Sequence, residues 1–158
     1  MSNVLVDGNG KLIIEDARIL YRNFSGVGSS YNREGDRNFN VIIDNPDDAA
    51  MLQDAGWNIK CRVPRDPDEL PLHHMKVNVN FKSLRGPKIY LHTGSNVVLV
   101  DETTVADLDQ DDILSCDMII SPYHYERNNG SGISAYLDTL HVVVKEDPFA
   151  HKYANLEG

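Results

Sequence analysis

Eight consecutive residues, Met75 to Lys82, alternate without a break between apolar and polar. Met75, Val77, Val79 and Phe81 fall on one side, and Lys76, Asn78, Asn80 and Lys82 on the other. Side chains two residues apart share a face of a strand. Strict alternation therefore requires a strand with one face in a core and the other in water. A parallel sheet covered by helices on both faces would need near-continuous apolar runs instead. The chain must build a sheet with a wet face.

The flanking segments extend this reading. Ala17 to Phe24 and Arg37 to Ile43 read as strands around a Gly/Ser/Asn-rich loop, Ser25 to Gly35. Asn45 is placed to cap a helix that Pro46 opens, with Asp47 and Asp48 at its positive end and Gly56 as its stop. Trp57 to Val63 is a further strand, followed by a polar, Pro-rich loop to Pro71. Lys88 to His92 and Val97 to Val100 form another pair. Glu102 to Leu114 reads as a helix or a run of acidic turns. Asp117 to Arg127 and Gly132 to Lys145 flank Asn128-Asn129-Gly130-Ser131, and Asn-Gly between β-rich runs signals a hairpin. No regular helices separate the strands, so a barrel or sandwich fits best. With 158 residues the chain is expected to be a single domain over 1–158. It divides into an N-terminal arm or short strand (1–12), a β core (13–145) and a polar tail (146–158).

The formal net charge is −9, which by itself argues against a polyanionic partner. The charge is segregated, however. Residues 44–54 hold four Asp and no base, and residues 101–117 hold seven acids and no base. Residues 57–93, in contrast, carry seven bases against three acids. The cations coincide with the strand-like segments and are interleaved with aromatic rings. Tyr123, Tyr125 and Arg127 share one strand face, as do Arg37 with Phe39, Arg22 with Phe24, Lys60 with Arg62, and Lys76 with Lys82. Grooves that hold single-stranded nucleic acid combine positive charge with rings on which bases stack. The competing assignment for Phe24, Phe39, Phe81 and Trp57 is the core, and for Tyr123 and Tyr125 a boundary position. Tyr31, Arg33 and Arg37 make the Gly-rich loop a candidate clamp.

Other chemistries find little footing. Gly26-Val27-Gly28 does not continue to GxGxxG, and no Gly-Lys-Ser/Thr follows. Asp107, Asp109 and Asp111 match the first positions of a calcium loop. Asp112 then stands where that loop needs glycine, and Met118 where it needs glutamate. His73 and His74 are adjacent, so a strand points them to opposite faces, and no Cys or His supports a zinc site. Cys61 and Cys116 form no CxxC and, in a reducing compartment, are expected as buried apolar residues. There is no GxSxG and no HExxH. A nuclease would need carboxylates clustered at a metal; Asp44, Asp47 and Asp48 offer such a set, but the helix N-terminus explains them more simply.

Phe24-Ser25-Gly26, Tyr31-Asn32 and Gly35-Asp36-Arg37-Asn38-Phe39 resemble the N-terminal signature of phage-encoded single-stranded DNA-binding proteins. Gly56-Trp57-Asn58-Ile59-Lys60, Val77-Asn78-Val79-Asn80-Phe81-Lys82 and Pro122-Tyr123 are similar to later parts of the same family. The resemblance spans residues 17–153. It implies an OB-like barrel with one or two short helices, within an all-β or β-rich α+β class. It further implies binding of single-stranded DNA during phage replication or recombination, without sequence specificity, cofactor or catalysis. By matching position it puts forward Arg33, Arg37, Phe39, Trp57 and Lys60. Cellular single-strand binders end in a long acidic, Pro/Gly-rich tail, and the mixed ending EDPFAHKYANLEG departs from it.

The combined expectation is a binding module of the host-cell cytoplasm. Arg22, Arg33, Arg37, Lys60, Arg62, Lys76, Lys82 and Arg127 would draw phosphates, and Phe39, Trp57, Tyr123 and Tyr125 would stack bases. Association with phage or host replication proteins, or into homo-oligomers, is compatible with this; a membrane is not. The alternative from another class is an acidic DNA mimic that inhibits a host nuclease. A continuous acidic stripe would favour the mimic, and a basic groove the binder.

Overall fold

The computed structural model describes residues 3–30, 32–82 and 86–145. The first two residues, Tyr31, Ser83 to Arg85 and the tail from Glu146 lie outside the described residues, so the expected polar tail and the Tyr31 part of the loop clamp lie outside them too.

Ten strands join in one sheet. They are β1 (Val4–Val6), β2 (Leu12–Ala17), β3 (Ile19–Asn23), β4 (Arg37–Ile43), β5 (Ile59–Arg62), β6 (Leu72–Val79), β7 (Lys88–Thr93), β8 (Asn96–Val100), β9 (Ile113–Arg127) and β10 (Gly130–Val144). The main path runs β1-β2-β9-β10-β6-β4-β3, with β5 paired to β6, and β7 paired to both β10 and β8. This path is open: no ladder joins its two ends among the described residues. The chain itself bridges them. β2 pairs with β9 and β3 pairs with β4, and the two strands are separated by Arg18 alone. Asp16 at this corner has φ 50 and its N–H donates to the Asp117 carboxylate, while Ile42 N–H donates to Arg18 O. The result is a β-rich, OB-like architecture whose open sheet turns from β2 into β3 through one sharply bent segment. The sequence pattern reads Ala17 to Phe24 as one strand because the bend is a backbone event that apolar alternation does not report.

Local signals act as their chemistry requires. In α1 (Pro46–Ala55) the Asn45 carboxamide accepts from Asp47 N–H, and Gly56 closes the helix at φ 108. Ala49 and Leu52 face the core. The long β9–β10 hairpin turns at Asn128 and Asn129, with Arg127 opposite Gly130. β6 starts earlier than the alternation indicates and stops at Val79, leaving Phe81 and Lys82 in the turn that follows. Of the acidic stretch, Val105–Asp109 forms a short 3-10 helix.

The core gathers Phe24, Phe39, Val41, Met75, Val77, Met118, Ile120 and Leu140 with the apolar side of α1. In β10, Ile133, Ala135 and Leu137 point inward; a bulge at Asp138 then shifts the phase so that Leu140, Val142 and Val144 do so. The complementary residues, Ser134 and Tyr136, are left on the wet face beside Lys76 and Asn78.

Candidate nucleic-acid interface

The wet face is built by β4, β5, β6, β9 and β10. On β6 the outward positions are His74, Lys76 and Asn78. Lys60 is paired opposite His74 and Arg62 opposite Leu72, so both cations project to the same side. Tyr136 of β10 sits opposite Asn78 of β6 and opposite Ser121 of β9. Tyr123, Tyr125 and Arg127 project from the same side of β9.

Three depressions meet on this face and share Tyr136. One, of about 580 Å³, is lined by Tyr123, Tyr136, Asn80 and Lys11. The second, of about 500 Å³, is lined by Lys60, Lys76, Asn78, Arg127 and Tyr136. The third, of about 250 Å³, is lined by Arg37, Phe81, Lys82, Asn78 and Tyr136. Because they share lining residues, they form one trough with Tyr136 and Asn78 on its floor. The Tyr123 and Tyr136 rings meet edge to face with centroids 5.9 Å apart, and Tyr123 is 59% exposed.

Lys11 and Arg37 are paired with carboxylates, but the other cations here are not. The ion pairs among the described residues are Lys11–Asp138, Arg18–Asp44 and Arg37–Glu102. None of them involves Lys60, Arg62, Lys76, Lys82 or Arg127. Asp138 and Asp36 also line the depressions, while other carboxylates are occupied elsewhere. Asp109 accepts from Phe24 N–H at 2.6 Å and Ser25 N–H at 3.0 Å, bracing the start of the Gly-rich loop. Asp44 pairs with Arg18 at 2.7 Å. Among the described residues, no group of three or more His, Cys, Asp or Glu is arranged to hold a metal ion.

His74 lies beneath the cations, 8% exposed, with Nδ1 2.7 Å from Asn40 Oδ1. Burial holds its pKa below the ordinary histidine value, and the charges of Lys60, Arg62 and His73 push it the same way. His74 is therefore neutral at pH 7 beneath the cationic Lys60 and Arg62.

The sequence-derived candidates separate into those that line the trough and those that do not. Arg37, Lys60, Lys76, Lys82, Tyr123 and Arg127 line it. Tyr125 stands beside it, its hydroxyl 3.0 Å from Asn58 Oδ1 and the Arg127 guanidinium 5.1 Å from its ring centroid. Arg62 lies further along the same face and donates to the Tyr21 hydroxyl. Arg33 is exposed on the Gly-rich loop, outside the trough. Phe39 is fully buried against Phe24 with centroids 5.4 Å apart, and Trp57 is 4% exposed, so both rings belong to the core. Arg22 turns away: its guanidinium donates to Leu108 O at 2.9 Å and Asp111 O at 2.6 Å. Arg37 is partly committed, donating to Phe24 O while its guanidinium lies over Phe81.

Sequence reasoning missed Tyr136, the residue on which the trough converges. The available signal was its position one residue from Leu137 and two from Ser134 in an alternating run. Asn78, read only as the polar side of β6, also joins the floor; its amide donates to Ala135 O.

A curved, open β-sheet with free cations and exposed tyrosines on one face defines a platform for a flexible polyanion with flat bases. The family comparison agrees. Residues 1–157 match the family model described as "Putative phage ssDNA-binding domain", and the chain belongs to this phage single-stranded DNA-binding family. Among solved structures it is similar to the single-stranded DNA-binding protein from bacteriophage Enc34. Against the structure of that protein in complex with ssDNA, identity is 14%, 94% of each chain is covered and the TM-score is 0.59. Against its C-terminal truncation the values are 14%, 94% of each chain and 0.58. Against a third structure of that protein they are 12%, 100% of this chain, 96% of the other and 0.58. At such identity the likeness is one of fold. No match was found among the curated proteins.

Proposed function

We propose that this chain binds single-stranded DNA along the trough centred on Tyr136, without reading its sequence, and that it does so as a binding module rather than an enzyme. The observation that carries the proposal is the convergence of Lys60, Lys76 and Arg127, free of carboxylate partners, with the tyrosines 123 and 136 on one wet sheet face. Phosphates would displace counterions at the cations, giving affinity that falls as salt rises. Exposed rings would take bases of any identity, at roughly 1–3 kcal/mol each. Membership of the single-stranded DNA-binding family, and the description of an Enc34 structure as a complex with ssDNA, support the choice of ligand. Work in phage replication or recombination, in the host cytoplasm, is the role this activity would serve. Among the described residues no helix is long and apolar enough to cross a membrane.

A DNA mimic would need carboxylates where Lys60, Lys76 and Arg127 stand. The acidic runs instead lie in α1, whose apolar side meets the core, and around the 3-10 helix, where Asp109 serves the backbone. The test is fluorescence anisotropy with a labelled oligo-dT at low salt. Saturable binding that weakens with salt is expected, reduced at least tenfold in a K60A/K76A variant. No binding at micromolar protein in low salt would end the proposal.

A further inference from the structure

Tyr21, on the wet side, belongs to neither the core nor the trough. The β3–β4 ladder pairs Ile19 with Val41 and Leu20 with Asn40, then resumes at Asn23 and Asn38. The bulge between them leaves Tyr21 and Arg22 outside the regular pairing, and sends them opposite ways. Arg22 braces the 3-10 segment, whereas Tyr21 stands out on the wet side, 55% exposed.

Tyr21 is held in that posture at a cost. Its φ is 51, in the left-handed region that residues other than glycine avoid. Its hydroxyl accepts from the Arg62 guanidinium at 3.1 Å. Its ring meets the buried His74 edge to face, with centroids 5.8 Å apart and planes at 71°. His74 is itself tied to Asn40. The ring is thus held through its oxygen and its contact with the His74 ring while more than half of the residue faces solvent. Little apolar burial compensates the strained backbone, and such uncompensated strain concentrates at functional sites.

We propose that Tyr21 and Arg62 form a second base-stacking station for single-stranded DNA, with the ring taking an unpaired nucleobase and Arg62 the adjoining phosphate. This rests on the reading of the trough as the DNA path. It extends that path from Tyr136 past Asn78 and His74, four residues or roughly 13 Å along β6 at 3.3 Å per residue, and across β4 to the edge strand β3. The class of ligand is any base of a flexible strand, because a ring face does not discriminate among them.

The test compares Y21F, Y21A and Y21G with the wild-type chain, by anisotropy on an oligo-dT of about thirty nucleotides and by thermal melting. Loss of one stacked base corresponds to roughly a 5- to 150-fold weakening. Y21A and Y21G should show it, while Y21F, which keeps the ring, should stay within about threefold of wild type. Glycine tolerates φ 51, so Y21G should melt no lower than wild type. Wild-type affinity in Y21A and Y21G, or a fall in melting temperature for Y21G with affinity retained, would overturn the station. Failure of the underlying path reads differently: wild type would not bind, or K60A/K76A would bind as wild type does.

Discussion

The Tyr125 ring lies across Gly132 on the opposite strand, so closely that a Cβ at Gly132 would sit 2.5 Å from the tyrosine oxygen. Glycine is therefore required there by the ring. In that pose the hydroxyl reaches Asn58 and the face carries Arg127. The G132A variant should push the ring off Asn58 and misplace Arg127. The expected outcome is a roughly three- to tenfold loss of oligo-dT affinity, within the range of one weakened stacking or cation contact, with little change in melting temperature. Unchanged affinity would show that the Tyr125–Arg127 pair stands outside the DNA path.

Arg22 and Asp109 are expected to behave as parts of the fold. Arg22 donates two charge-assisted bonds to the carbonyls of Leu108 and Asp111, and Asp109 accepts two from the backbone at Phe24 and Ser25. Urea unfolding of R22A and D109A should each show a loss of about 1.5–3 kcal/mol. Oligo-dT affinity at a temperature where both remain folded should change less than about twofold. A large affinity loss in R22A without loss of stability would return Arg22 to the binding surface.

Much of this architecture was legible beforehand because it rests on periodicity and local chemistry. The alternation of Met75 to Lys82 found the wet face, Asn45-Pro46 and Gly56 bounded the helix, and Lys60, Lys76 and Arg127 came to one side with Tyr123. What was not legible depends on backbone geometry. The corner at Asp16 and the bulge at Tyr21 break the strand phase without changing composition. The bulge at Asp138 reverses which β10 residues face inward, so an alternation carried through the whole strand cannot assign both ends of it. Phe39 and Trp57 illustrate a separate limit: a ring beside a cation in sequence carries no mark of whether it faces the core or water.

His74 should make stability depend on pH. In the unfolded chain it titrates near the ordinary value of about 6.5. In the folded chain burial first, and Lys60 and Arg62 next, hold it lower. Above about pH 6.5 both states are neutral and the full contribution is present. As pH falls, the unfolded chain takes up a proton that the folded chain refuses, so stability is lost until the folded form also titrates. The melting temperature of wild type should therefore fall more between pH 7 and 5 than that of H74Q. Parallel profiles would contradict this account of His74.

The two thiols should react very differently. Cys116 is buried as expected, and burial followed by Asp117 pushes its pKa up to about 12, whereas Cys61, expected to be buried, is exposed on β5. Iodoacetamide should label Cys61 in the native protein and Cys116 only on unfolding. Strand alternation turns Cys61 away from Lys60 and Arg62, so the adduct should leave oligo-dT affinity within about twofold. Native labelling of Cys116 would contradict the packing of β9.

The decisive measurement is amide chemical-shift mapping of the chain during titration with oligo-dT. The account predicts that the largest shifts cluster at Lys60, Lys76, Asn78, Ser134, Tyr136 and residues 123–127, with α1 unaffected. Shifts centred on α1 or the 3-10 helix, or spread evenly over both faces of the sheet, would contradict it.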